Sequence, residues 1–228
     1  MNRTVKIGSP PIEVHLRRSA RARRYSLRIS NADGKVSLTL PNRASERAAL
    51  DFAYRQEDWL RAALGKRPAA VVPEIGGKVL YLGQEVSLLQ GTARSVKAGP
   101  EGLFLPGSVE TLGARLKGFF KVQARERLAA ASHYYASQLG RDICALSLRD
   151  TRSRWGSCTA DGRLMYSWRL IMAPPEVLEY VAAHEVSHLV QMNHSAEFWA
   201  VVEGLMPDYQ RHRKWLKANG ARLHHFQF

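Results

Sequence analysis

Residues 174–199 read PPEVLEYVAAHEVSHLVQMNHSAEFW, and their spacing specifies a chemistry. Pro175 suits the first turn of a helix, where its missing N–H costs nothing. Residues 176–191 contain neither Pro nor Gly, so a helix of about four turns is predicted there. His184 and His188 then stand one above the other on a single face, where two imidazoles can ligate one metal ion. Glu185 is offset by about 100° and leaves their coordination positions free. Its carboxylate can instead reach a metal-bound water as general base, which is the mechanical content of HExxH.

A catalytic zinc, held at ~2.0–2.1 Å from each imidazole, needs a third protein ligand and an open position. His194 is the preferred candidate. Gln191, Met192 and Asn193 can end the helix and turn the chain back, with Asn193 suited to the left-handed conformation of such reversals. Ser195 then caps a second helix. Glu203 and Asp208 are the rivals for third ligand, in the position class of a carboxylate on a following helix. Cys158 is a further candidate, as a fourth ligand that would close the site. Most histidines on helices are structural; three at this spacing, flanked by Val181 and Leu189 rather than by charges, depart from that pattern.

The 228 residues can form one large domain or two small ones. Apolar content of 45% and charged content of 24% are those of an ordinary globular protein. The net charge of +14 is not ordinary. It points to anionic partners such as nucleic acid, nucleotides or acidic protein surfaces, or to a solvated basic surface. Two cysteines, Cys144 and Cys158, make no disulfide framework. No stretch approaches the ~20 apolar residues of a membrane span, and the first residues lack an apolar signal core. A cytoplasmic location without membrane contact is expected.

Tyr25, Leu27 and Ile29, a turn at 31–34, and Val36, Leu38 and Leu40 read as paired strands. Ahead of them lies an arginine group, Arg17, Arg18, Arg21, Arg23 and Arg24. It is read either as charge guarding a strand edge or as a phosphate patch, without aromatic interleaving for base stacking beyond Tyr25. A helix is predicted over 44–64, with Phe52 and Trp59 on its core face, followed by a Pro- and Gly-rich connection to about residue 77. Short strands are predicted at 78–82, 85–89 and 103–105, and a long helix from Ser108 to Gly140. Strand 146–149, the tight Gly turn in 152–158, and a hairpin through Asp161 and Gly162 into alternating Leu164, Tyr166, Trp168 and Leu170 precede the metal helix. This hairpin is placed to line the cleft, with Arg152, Arg154 and Arg169 facing substrate or solvent. After the motif a helix with Phe198, Val201, Val202 and Leu205 inward ends at Pro207. A basic helix capped by Asp208 follows, and then a frayed tail holding His224 and His225.

Arg154-Trp155-Gly156-Ser157-Cys158, Trp168-Arg169-Leu170, His184-Glu185-x-x-His188-Leu189 and Asn193-His194-Ser195-x-x-Phe198-Trp199 together resemble the YgjP-like metal-dependent hydrolases, relatives of the SprT-like and WLM zincin metallopeptidases. The resemblance is strong over about 146–217. It implies an α+β fold: residues 1–107 as a β-rich N-terminal region with one helix, packing on a zincin-like catalytic domain at 108–228 with an HExxH active-site helix. It also implies one Zn2+ per chain held by His184, His188 and His194, with Glu185 as catalytic acid/base. Three functions follow as expectations. The first is a zinc metallopeptidase acting on polypeptide, with an arginine or Tyr166 as oxyanion donor. The second is a metal-dependent nucleoside triphosphate pyrophosphatase, and the third a nucleic-acid-associated protein with a structural zinc or a nucleoprotein substrate.

Overall fold

The computed structural model describes residues 3–30, 34–65 and 70–228. The chain forms two compact units, Met1–Ala69 and Ala70–Phe228. The strands between 70 and 107, assigned from sequence to the N-terminal region, thus belong to the second unit. Their Val79, Leu80, Leu88, Leu103 and Leu105 enter the same core as Phe120 and Trp168, which is the physical reason for the shift.

In the first unit, β1 (Arg3–Ile7), β2 (Ile12–Ser19), β3 (Ser26–Ile29) and β4 (Val36–Pro41) form a mixed sheet in the order β1-β2-β4-β3. The period-two pattern puts Val14, Leu16, Val36, Leu38 and Leu40 on one face, as alternation requires. That face packs on α1 (Glu46–Arg55) and α2 (Glu57–Gly65) through Ala49, Ala53 and Leu60. The single helix expected over 44–64 is therefore two. The break at Gln56, with φ −101° and ψ 11°, resets the helical phase, so Leu60 is buried and Trp59, expected inside, is 47% exposed. Most of the 31–34 turn lies outside the described residues, as does the start of the connection after α2.

The second unit opens with β5 (Lys78–Tyr81), β6 (Gln84–Gln90), β7 (Lys97–Gly99) and β8 (Gly102–Leu105), a sheet ordered β5-β6-β8-β7. The brief, exposed β7 carries no apolar alternation and was not legible in the sequence. The long α3 (Val109–Gln138) buries Leu112, Leu116, Phe120, Ala124 and Leu128 at steps of four along one stripe. A three-stranded sheet follows, β9 (Ala145–Arg149), β10 (Gly156–Cys158) and β11 (Arg163–Ser167), with β10 at one edge. Strand alternation stops at Ser167. Residues Trp168–Met172 form a 3-10 turn with all five side chains buried, a run that no two-faced strand accommodates. Then come α4 (Pro175–Ser187), α5 (Ala196–Leu205) and α6 (Tyr209–Asn219). No helix of the described residues is long and apolar enough to cross a membrane.

Arg169 ties this unit together rather than facing substrate or solvent. Its guanidinium donates to both Asp150 carboxylate oxygens at 2.6 and 3.3 Å and to the carbonyls of Leu223 and Phe226 at 2.8 and 3.0 Å. It also lies 4.8 Å from the centre of the Trp168 ring, so the charge is both paired and stacked. The C-terminal segment, expected to fray, is held by these bonds and by a bridge of Phe226 to Val71. His224 stacks on Trp155 at 5.0 Å.

Burial alone would raise the Asp150 carboxyl, but the hydrogen bonds and charge of Arg169 outweigh it and hold the group below the usual carboxylate range. A depressed folded-state value stabilises the fold above the unfolded value of ~3.9, and the effect is lost as pH falls through the folded value. Asp150→Asn should lower stability by about 2 kcal/mol at pH 7, less than for a fully buried pair because Asp150 is partly exposed and Arg169 keeps two carbonyl acceptors. Thermal melts should show a gap of about 5 °C that narrows below about pH 4.

Candidate metal centre

The HExxH helix is buried on almost every side. Val177, Leu178, Tyr180, Val181, Ala182, Ala183 and Val186 all enter the core. Its entry is fixed by the β5–β6 turn, where Leu82 and Gly83 donate backbone N–H groups to the carbonyls of Ile171 and Met172. Gly83 has φ +80°, and a Cβ there would come within 2.8 Å of Pro174, so only glycine lets the turn seat against the helix start. The exit differs from the four-turn helix expected. Regular α geometry ends at Ser187, and the N–H groups of His188, Leu189 and Val190 bond to carbonyls three residues back, the tightening common at a helix end. The reversal uses no left-handed residue at Asn193, since Leu82 is the one non-glycine with positive φ among the described residues. Instead the Asn193 side-chain oxygen accepts from the Ser195 N–H at 3.1 Å, an Asx turn. Ser195 precedes α5 as expected, but its hydroxyl donates to Glu197 rather than capping.

These turns bring three imidazoles together. One ring nitrogen from each of His184, His188 and His194 lies within 4.8 Å of the others, and Nε2 of His184 is 3.1 Å from Nε2 of His194. Tetrahedral zinc at ~2.0–2.1 Å would set its ligand nitrogens about 3.3 Å apart, so the pair fits one edge of such a site. The Nδ1–H of His188 donates to the Gln191 carbonyl at 2.9 Å, which leaves its Nε2 lone pair free and fixes the ring. Nδ1 of His184 is buried with no hydrogen-bond partner. A histidine kept only for packing would carry that cost, about 1–3 kcal/mol, with nothing to offset it. The donor set therefore suits a divalent metal that prefers imidazole nitrogen.

Electrostatics favour the ligating forms. Burial, together with His188, His194 and Arg213, pushes His184 down to about 3, and burial also lowers His188, so both rings are neutral at pH 7. Glu185 is 6% exposed, and burial pushes its carboxyl up to about 8, with Arg154 acting in the opposite direction. A carboxyl kept dry in this way holds a proton more tightly than one in water. The carboxyl lies against the edge strand β10: a Cβ on Gly156 would fall 2.5 Å from Glu185 Oε1. Gly156 is the residue that sequence reasoning read only as a turn, and it defines the wall against which Glu185 rests.

The site opens into a cavity of about 440 Å³ lined by the three histidines, Glu185, Arg154 and β10. A second cavity of about 230 Å³ adjoins it through Gly156, His184 and Glu185, walled by Trp155, Tyr180, Val181 and Leu216. Glu203 and Asp208, the rival third ligands, are exposed and lie outside the three-histidine group; Asp208 instead accepts from His212 at 3.1 Å. Cys158 lines the cavity but lies outside the three-histidine group, and burial, with Glu185 and Asp161 adding to it, pushes its thiol up to about 11. Tyr166 is fully buried and bonded to Ser132 at 2.9 Å, which removes it as an oxyanion donor. Arg154 lines the cavity. Sequence spacing gave no sign of the aromatic support behind His184, where Tyr209 stacks on Trp199 at 5.4 Å and Arg213 lies 4.4 Å from the Trp199 ring centre. Those partners come from α6, a separate helix.

A comparison with curated proteins finds no match. Among solved structures, the metallopeptidase zymogen abylysin of Pyrococcus abyssi is similar at 19% identity and a TM-score of 0.36, covering 40% of this chain and 93% of that one. The model of the YgjP-like family, described as a metallopeptidase domain, matches residues 23–219. That span contains the three-histidine group, Glu185 and the β10 edge, and the chain belongs to the YgjP-like metallopeptidase family.

Proposed function

We propose that the chain is a cytoplasmic zinc peptidase acting on extended polypeptide, with His184, His188 and His194 as metal ligands through Nε2 and Glu185 as general base. The observation that carries this reading is the convergence of three imidazole nitrogens within 4.8 Å beside a buried carboxyl. Zinc bound there supplies Lewis-acid polarisation of a scissile carbonyl and acidifies a water. The chain's own residues do the rest. Glu185 accepts the proton that the attacking water releases and returns it to the leaving amine nitrogen, so that one peptide bond and one water become a carboxylate and an amine. β10 has β11 on one side only, and its free edge suits an extended substrate added as a strand. The apolar cavity at Trp155, Tyr180, Val181 and Leu216 suits an apolar side chain next to the cleaved bond. Arg154 is the cation available to the developing oxyanion. Two free cysteines accord with a reducing compartment.

The nucleotide-hydrolase alternative finds less support. A triphosphate carries several charges, and among the described residues Arg154 is the only Lys or Arg lining either cavity.

Purified protein should contain about one zinc per chain. His184→Ala and His188→Ala should each abolish it, and His194→Ala should weaken binding far more than Glu203→Ala; stoichiometric metal in the first two would remove the ligand assignment. Glu185→Gln should keep its zinc and lose at least about 100-fold in rate on unfolded polypeptide. In a side-by-side assay with nucleoside triphosphates, turnover of the nucleotides alone would overturn the peptidase reading. Gly156→Ala should retain zinc and the wild-type melting profile yet cut kcat about tenfold or more, because the new methyl displaces the Glu185 carboxylate. Unchanged kcat would show that the wall is dispensable.

A further inference from the structure

The first unit carries fifteen Lys and Arg against six Asp and Glu, so most of the chain's excess charge belongs to it rather than to the unit that holds the three-histidine group. Its distribution on the sheet is ordered. Because Val14, Leu16, Val36, Leu38 and Leu40 point to the helices, the opposite face presents the alternate residues of β2, β4 and β3. Across that face the register sets Arg17 beside Thr39, Thr39 beside Ser26, and Ser37 beside Arg28. The segment between β2 and β3 adds Arg21, Arg23 and Arg24 along the border, and together these groups enclose a concavity of about 470 Å³. No carboxylate lines it, and none of its five arginines is paired with one among the described residues.

Two simpler uses of this charge fit poorly. Strand-edge protection would place it on the outermost strands; that covers Arg28 on β3, but Arg17 is on the inner strand β2. Structural pairing accounts for Arg3 and Arg61, which pair with Glu46 and Glu57, and for Arg18, whose guanidinium donates to the carbonyls of Pro41, Asn42 and Ala44, but for none of the arginines that line the concavity among the described residues. The remaining arginines, interleaved with hydroxyls, form a donor-rich lining with no acidic member among the described residues; Glu13, on the same face of β2, lies outside it. Guanidinium forks and hydroxyls on strands about 4.8 Å apart match the oxygens of successive phosphates. A protein partner would call for a large apolar or aromatic anchor at the centre, and among the described residues the one apolar side chain lining this concavity is the methyl of Ala22. Tyr25, the nearby aromatic, is stacked on Phe52 at 6.0 Å and packed against the unit's core, so no platform for unpaired bases is offered.

We propose that this arginine-hydroxyl face of the first unit binds the phosphate backbone of double-stranded nucleic acid, without reading its sequence. The test is fluorescence anisotropy of the full chain with labelled DNA and RNA duplexes of about 20 base pairs, against single strands, anionic phospholipid vesicles and polyglutamate. Five phosphate contacts give a slope of log K against log salt of about −4, a loss of roughly 200- to 500-fold between 50 and 200 mM. Arg23→Gln with Arg24→Gln should weaken duplex binding at least about tenfold and reduce the slope by about 2. Arg211→Gln with Lys214→Gln, on α6, should change it less than about twofold, with both variants melting as wild type. The proposal is overturned if duplexes do not bind at 50 mM salt, if the two variant pairs weaken binding equally, or if single strands, vesicles or polyglutamate bind as well as duplex.

Discussion

The structure of the second unit depends on keeping one polar helix face dry. Apart from Glu176 and Glu179, α4 is largely buried, and the face at its C-terminal end carries the His184 and His188 imidazoles and the Glu185 carboxyl at low exposure. Ionised groups there are disfavoured by desolvation, which is why His184 falls and Glu185 rises from their ordinary values. The same burial keeps the His184 and His188 imidazoles neutral and makes the Glu185 carboxyl hold its proton more tightly. Chemistry and packing are two aspects of one constraint.

Other elements can be understood by how they hold that face in place. The β5–β6 turn seats the start of α4 at Pro174, and β10 closes the side at Gly156. The Asx turn at Asn193 returns the chain so that His194 meets His184. Behind them, Phe198 stacks on His188 at 4.5 Å and Trp199 backs His184 and His194. Arg169 gathers the loop at Asp150 and the C-terminal segment through four hydrogen bonds, and Trp155, beside the cleft, is stacked by His224 from that segment. A buried cation outside both cavity linings thus helps to hold one wall of the cavity.

Local signals in the sequence were legible because they are set by neighbours along the chain. HExxH spacing, the Pro175 helix start, the stripe of α3 and the Asp161–Gly162 hairpin all follow from periodicity and turn chemistry. What the sequence concealed depends on tertiary partners. Arg169 looks like any basic residue until the carbonyls of Leu223 and Phe226 surround it. Trp59 turns outward because a break at Gln56 shifts the phase by less than a turn, a boundary that propensity does not resolve. Tyr166 alternates like a cleft residue, but Ser132 on α3 claims its hydroxyl. Asn193 reverses the chain by its side chain rather than its backbone, two solutions that the same residue permits.

The central claim is that three imidazoles form one metal site beside Glu185. A crystal of zinc-loaded protein measured on both sides of the zinc absorption edge tests it directly. The account predicts a single anomalous peak per chain, ~2.0–2.1 Å from Nε2 of His184, His188 and His194, with the Glu185 carboxylate outside the coordination sphere. A peak ligated by Cys158, Glu203 or Asp208 in place of His194, or Glu185 bound directly to the ion, would contradict it.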